Sequence, residues 1–409
     1  DFQHHWQRAR QSGIAVGDLH DYSFAIAACR NNAFELPNED PKSIRSTYAY
    51  AYHFDAGLYA NFLRRWTVAR GVERIEGQVV DVGRNAGSGH VETLTLKSGK
   101  VVAGDLFIDC SGFRSLLLGG TMDVPWQDWS QWLPCDRALA VPCERTDPLT
   151  PYTRATAREA GWTWRIALQH RTGNGYVFSS RFCDEDKARE TLLGALDGAA
   201  LAEPRLLRFD AGRRASAWSG NCVGIGLASG FLEPLESTSI FLIQAAVIDL
   251  AKLMPTPGDG DRMDVRLADE FNRLFRIHYD RTRDFLILHY VANRREGEPL
   301  WDHVRTMPLP DSLAHKISLF EESAAAPDYK YGLFSRDSWL AVLVGQGVTP
   351  RGYNRLADRL ALPDLEARMR DLKSRIDINV ADMSAHGDFI ASYCSEPAPA
   401  PAAAMDFVE

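Results

Sequence analysis

The sequence predicts an α/β protein carrying a second, antiparallel sheet and a largely helical carboxyl-terminal part. Three observations predict it. Asn221 to Ala228 (NCVGIGLA) is a short, nearly all-apolar strand of the kind covered on both faces, and a glycine-rich turn and an apolar helix from about Thr238 to Leu253 follow it. Arg137 to Glu144, Trp162 to Gln169 and Gly175 to Arg181 alternate as strands of a separate sheet. Beyond Pro255 to Gly260 (PTPGDG) the pattern changes to long amphipathic helices.

Each element has its own signal. His53 to Ala69 reads as a helix, with Leu58, Phe62 and Trp66 at four-residue spacing and Gly71 as a stop. A meander follows: Gln78 to Arg84 and His90 to Lys97 flank the turn NAGSG, and Val101 to Asp109 comes after Ser98-Gly99. The helix from Thr238 is hydrophobic all round, which predicts burial. Later helices are expected over Asp264 to Asn293 (Leu267, Phe271 and Leu274 on one face), Asp311 to Ala324, and Pro363 to Tyr393. The 409 residues suffice for two or three domains. They are expected as an α/β part with its inserted sheet over 1–254, a helical part over 255–396 and a tail over 397–409. The tail's PAPAPAAA is too poor in large apolar groups to pack and is expected to be disordered.

Composition excludes several classes. A net charge of -8 argues against nucleic acid and against an anionic membrane surface. The longest apolar run, Ile240 to Ile248, is too short to span a bilayer, and the first residues contain no signal-peptide core. Seven cysteines are scattered with no C-x-x-C pair, which suits a reducing cytoplasm. His4-His5 reads as the start of a polar surface helix. No metal is expected.

The segment Gly226 to Ser239 (GLASGFLEPLESTS) carries most information. A strand, a glycine turn and a helix start converge exposed N–H groups on one point, and the helix dipole makes that point hospitable to an anion. Ser237, Thr238 and Ser239 are equally good helix caps, so an ordinary capped helix weighs as much. Glu236 sits at the same helix start, where carboxylates are favoured structurally. Trp162 and Trp164 in GWTWRIA share one strand face, and an aromatic core pair is commoner there than a cofactor wall.

These blocks resemble the flavin-dependent tryptophan halogenase family. GWTWRIA running into LQHRTGNGYVFSS, FIDCSGFRSLL, GLASGFLEPLESTSIFLIQAA and AYHFDAGLYANFLRR occur in the family's order, and the resemblance extends from Asp1 to about Cys394. It implies a flavin monooxygenase-like FAD-binding domain and halogenation of an electron-rich aromatic. In that chemistry reduced FAD (FADH2) and O2 give a flavin hydroperoxide, which oxidises chloride or bromide to hypohalous acid. By resemblance Glu236 assists proton removal from the ring, and the amides of Thr238 and Ser239 bind halide. Gly226, Ala228, Ser229, Gly230 and Phe231 contact the cofactor, and Asp109 to Gly112 pack beside it. Trp162, Trp164, Ile166 and Pro234 wall the tunnel to the substrate. The implied partners are a separate flavin reductase and a small aromatic substrate, with the protein a monomer or homodimer.

Three departures qualify the resemblance. The family's G-x-G-x-x-G unit and its essential lysine belong upstream of Asp1, so the chain as given is expected to be inactive alone. Ala167 stands where the signature has proline, with little effect expected. The insertion that clamps free tryptophan is short here, Tyr329 to Gly347, with only Trp339 and Tyr331 as echoes; Ser335, Arg336 and Asp337 are its polar cluster, and Ser335 is expected to cap a helix. Indole or a tryptophan derivative is therefore expected over the free amino acid. A flavin hydroxylase is the main alternative, against which stand Leu227 and Ala228 where hydroxylases have G-D. A homologue that binds an aromatic without turnover is the other.

Overall fold

The structure, a computed structural model, describes residues 1–255 and 264–394. The chain begins with α1 (Phe2–Gln11) and α2 (Phe24–Arg30). α3 (Ala56–Val68) starts where the Asp55 carboxylate accepts from the N–H groups of Gly57 and Leu58 at 2.9 and 3.2 Å. β1 (Val79–Arg84), β2 (Val91–Leu96) and β3 (Val101–Ala103) form the antiparallel meander. The strand expected over Val101 to Asp109 is in fact two, because the chain leaves the meander at Gly104 and β4 (Phe107–Asp109) joins a different sheet.

After β5 (Trp126–Asp128), the strands β6 (Arg137–Cys143), β7 (Arg154–Arg158), β8 (Gly161–Ala167), β9 (Thr172–Phe178) and, beyond α4 (Glu185–Leu193), β10 (Arg205–Arg208) build a five-stranded antiparallel sheet in the order β10-β6-β9-β8-β7. In it Trp162 faces Val177 and Trp164 faces Gly175 across β8 and β9. The remaining strands are short: β11 (Gly212–Arg214), β12 (Trp218–Ser219), β13 (Cys222–Gly224) and β14 (Gly230–Phe231). β13 runs parallel to β4, so Gly224 lies opposite Asp109. The apolar run from Asn221 is a strand only as far as Gly224, and Gly226–Ala228 is a 3-10 turn.

The helices are α5 (Thr238–Lys252), α6 (Val265–Val291), α7 (Pro299–Thr306), α8 (Asp311–Ser323), α9 (Arg336–Gly345), α10 (Leu362–Ala381) and α11 (His386–Tyr393). α6 is the pillar of the helical part. Phe285, Leu286, Ile287 and Leu288 are all buried, so the helix is enclosed on every side there. One apolar core joins Trp162, Leu232 and Leu235 to Phe271, Phe285, Trp301 and Trp339, spanning sheet and helices. At about 1.5–3 kcal/mol for each fully buried large side chain, this packing dominates the stabilisation.

Three expectations need correction. α5 is not buried all round: Thr238, Leu242 and Leu250 are covered, while Ile240, Ile243, Val247 and Ile248 are exposed. Their spacing shows why, since α6 covers one stripe and the His278–Asp249 contact at 3.5 Å lies along it. The helix expected over Pro363 to Tyr393 breaks at Asp382 to Ala385, where Ala385 bridges Ala33. His4 is buried rather than on a polar surface, because α1 docks its polar groups on backbone: Gln7 Nε2 donates to the Pro350 carbonyl at 2.6 Å and Arg8 Nη1 to that of Ala357 at 2.7 Å. The expected tail and most of the expected 255–261 boundary lie outside the described residues.

Candidate active site

Between β14 and α5 the chain makes a tight elbow. Ser237 N–H donates to the Pro234 carbonyl at 2.9 Å, and Glu236 and Ser237 both take left-handed conformations, with φ of 61° and 54°. Neither is glycine, so each costs on the order of 1–3 kcal/mol that the surroundings must offset. Buried Leu232 and Leu235 supply part of that anchorage. The elbow also decides how α5 begins. Ser237 occupies the cap position but its side chain caps nothing, so the first-turn N–H groups of Thr238 and Ser239 keep their free direction. Thr238 is fully buried, and its Oγ1 has no hydrogen-bond partner. A buried hydroxyl without a partner is expensive. It lies beside the free N–H groups of the helix start, so three donors gather there.

The Glu236 side chain is 42% exposed and its Oε1 lies 3.0 Å from His289 Nε2 on α6. The next residue, Tyr290, turns inward, its Oη 2.8 and 2.7 Å from the two oxygens of Glu233. Burial pushes the Glu233 carboxyl up to about 7, against the opposing hydrogen bond from Tyr290. Sequence reasoning missed Glu233, His289 and Tyr290. His289 and Tyr290 stand far from the elbow in sequence, inside an amphipathic helix pattern that announces only packing.

The two blocks expected beside a cofactor are brought together. Ile225 N–H donates to the Asp109 carbonyl at 3.0 Å and Ser115 Oγ to the Ala228 carbonyl at 2.7 Å. The buried Asp109 carboxylate accepts from the N–H groups of Ser111, Leu117 and Leu118 at 2.8 to 2.9 Å, shaping the loop after β4. Gly226 has φ of +71°, and Phe231 meets Phe113 edge-on with ring centroids 5.3 Å apart. Ala228, Ser229 and Gly230 are buried, whereas Ile108 and Phe113 leave an open apolar edge beside the turn.

Trp162 and Trp164 lie on one face of β8 with centroids 6.1 Å apart. Trp162 is buried in the core, its Nε1 facing Glu233 without forming a hydrogen bond, while Trp164 and Ile166 are half-buried. A cavity of about 720 Å³ opens elsewhere, between α3 and α11, lined by Tyr50, Tyr52, His53, Phe389 and Tyr393. None of the residues expected at the site lines it. In the expected clamp segment Trp339 is buried against Phe285, and Ser335 stands at the cap position of α9 without bonding its N–H groups.

The model of the tryptophan halogenase family matches residues 1–362. The chain belongs to the tryptophan halogenase family. It is 34% identical to the tryptophan 6-halogenase ThaL of Streptomyces albogriseolus over 94% of the chain and 73% of that enzyme. To the tryptophan 7-halogenase RebH of Lentzea aerocolonigenes it is 37% identical, over 74% of the chain and only 60% of the relative's length. Two flavin-dependent halogenases of known structure share its fold. Xcc4156 of Xanthomonas campestris superposes with a TM-score of 0.92 at 42% identity, covering 98% of the chain and 78% of that structure. BrvH of Brevundimonas sp. BAL3 gives 0.91 at 41% identity, covering 96% and 79%. The α/β flavin-dependent halogenase fold is thus established for this tryptophan halogenase relative, and the family uses FAD and halide.

Proposed function

We propose that the protein acts in the FADH2-dependent chlorination or bromination of an electron-rich aromatic such as indole or a tryptophan derivative, with the FADH2 supplied by a separate flavin reductase. The observation that carries this is the elbow, which sets a carboxylate, a buried unpartnered hydroxyl and an uncapped helix start within three consecutive residues. Halide fits there: the Thr238 and Ser239 amides and Thr238 Oγ1 offer a compact donor set at the positive end of α5. Flavin fits beside it, along the Gly226 to Phe231 turn and the Asp109 to Gly112 loop, with the open apolar edge of Ile108 and Phe113 to receive a ring. When bound, the flavin supplies the oxidising chemistry that makes the halide electrophilic.

The chain's own residues do the rest. The Thr238 and Ser239 donors hold the halide in place. Trp162, Trp164, Ile166 and Pro234 form apolar wall between cofactor side and substrate side. Once halogen adds to the aromatic carbon, that carbon must lose a proton, and Glu236 is the acceptor within the elbow. His289 Nε2 keeps the carboxylate aimed. A crystal soaked in bromide tests the halide assignment: anomalous density is expected within hydrogen-bond reach of the Thr238 and Ser239 amides, and bromide bound only at surface arginines would contradict it.

A further inference from the structure

Behind the elbow lies a second glutamate that the chemistry above does not use. Glu233 has no exposed surface and carries no arginine or lysine partner among the described residues. The groups facing it are Tyr290 and His289 from α6, Cys135 from the segment before β6, and the Trp162 indole N–H from β8. Cys135 Sγ in turn lies 3.4 Å from Tyr290 Oη, and burial holds the Cys135 thiol and the Tyr290 phenol well above their usual ranges, so both stay protonated donors. A buried carboxyl hydrogen-bonded only to a neutral group costs several kcal/mol relative to an apolar residue of the same size. Packing alone gives no reason to keep one here.

The geometry gives a reason. Consecutive residues of one helix point about 100° apart. His289 therefore holds Glu236 on the open side while Tyr290 holds Glu233 on the core side, and the two glutamates are the ends of a single four-residue span. We propose that Glu233 is a positioning residue for the reaction: locked by Tyr290, it fixes Pro234 and Leu235 so that Glu236 and Ser237 are held in their strained conformations and Thr238 in its productive place. This rests on Glu236 being the proton acceptor. As a carboxylate, Glu233 accepts from Tyr290 Oη–H, with the Trp162 indole N–H facing it and the Cys135 thiol beside Tyr290 Oη. As a neutral acid it becomes a donor itself, only one of its two oxygens still accepts freely from Tyr290, and the lock slackens. Glutamine, with one acceptor oxygen, imitates the slack form at every pH.

The test uses the full-length, flavin-loaded protein with a flavin reductase, measuring kcat and KM for indole bromination from mildly acidic to mildly alkaline pH. The wild type should gain kcat as pH rises through neutrality. E233Q should lack that rise and run roughly tenfold slower on the alkaline side, a modest share of what a misplacement of about 1 Å can cost, with KM nearly unchanged. Y290F keeps the carboxyl but removes its lock, and should be slow throughout. Infrared difference spectra with carbon-13-labelled glutamate read the lock without turnover: a buried carboxylic acid band should titrate near neutrality in the wild type and be missing in E233Q. If E233Q fails to fold, Y290F decides. Folded variants with wild-type kcat and pH dependence would overturn the proposal. Absence of halogenation by the wild type, with the infrared band present, would sink the functional reading and not the lock.

Discussion

His289 Nε2 lies 3.0 Å from Glu236 Oε1, while its Nδ1 lies 2.8 Å from the Phe285 carbonyl one turn back on α6. Both ring nitrogens thus face acceptors. A neutral imidazole has a single N–H and can serve only one of them, whereas an imidazolium serves both. His289→Phe keeps the bulk and removes both nitrogens. We expect kcat to fall about 10- to 100-fold, because Glu236 loses its aim. The melting temperature should shift little, since the Phe285 carbonyl already serves the helix. Steady-state kinetics beside a thermal melt check this.

Glu233 makes stability depend on pH in a defined direction. Its carboxyl is raised from 4.5 to about 7 in the fold, chiefly by burial, so the folded state holds the proton more tightly than the unfolded chain. The stabilisation from that proton is complete below the unfolded value and is lost as pH rises from about 4.5 to about 7. At 1.36 kcal/mol per unit, the loss is about 3 kcal/mol. Relative to E233Q, which does not titrate, the wild type should therefore lose stability across this window and hold a constant difference above it. Chemical denaturation of the two proteins at a series of pH values measures the difference, and parallel curves would contradict the assignment.

The substrate prediction rests on charge satisfaction. Free tryptophan brings an ammonium and a carboxylate, and burying either without a partner costs several kcal/mol. Of the cations near the expected clamp, Arg336 is engaged with Asp1 and Asp328, Lys316 with Asp284, and Arg281 with the Tyr331 carbonyl, while Lys330 lies over the Tyr331 ring. Trp339 is committed to the core. Indole needs only an apolar slot and one acceptor. Indole should be preferred by at least roughly tenfold in kcat/KM, about 1.4 kcal/mol. Competition of both substrates in one reaction measures this directly.

Elements marked by local periodicity and turns were legible in the sequence, including α3, the meander, β6, β8, β9 and α5. The splits at Gly104 and Asp382 were not, because they depend on which distant strand or residue the chain meets next, Cys222 for β4 and Ala33 for Ala385. The elbow was legible as a motif, from Gly226 to Ser239. Its support was not. Nothing in LILHY signals that His289 and Tyr290 grip the two glutamates, since contacts formed by a long helix packing back on an earlier loop leave no local pattern. The glycines at the start of the double-tryptophan strand and opposite it are explained only by the fold: a Cβ on Gly161 would sit 1.9 Å from the Val177 carbonyl oxygen, and one on Gly175 of β9 2.0 Å from the Trp164 ring.

The central claim is that Glu236 takes the proton from the halogenated ring, separately from the step that activates halide. The direct measurement is Glu236→Gln in the full-length protein, following halogenated aromatic product and, in parallel, hypohalous acid captured by a small-molecule trap. The account predicts a fall in product formation of something like ~10² or more, the size of a lost general base, with trapped hypohalous acid unchanged. Unchanged product formation, or loss of both signals together in a folded variant, would contradict it.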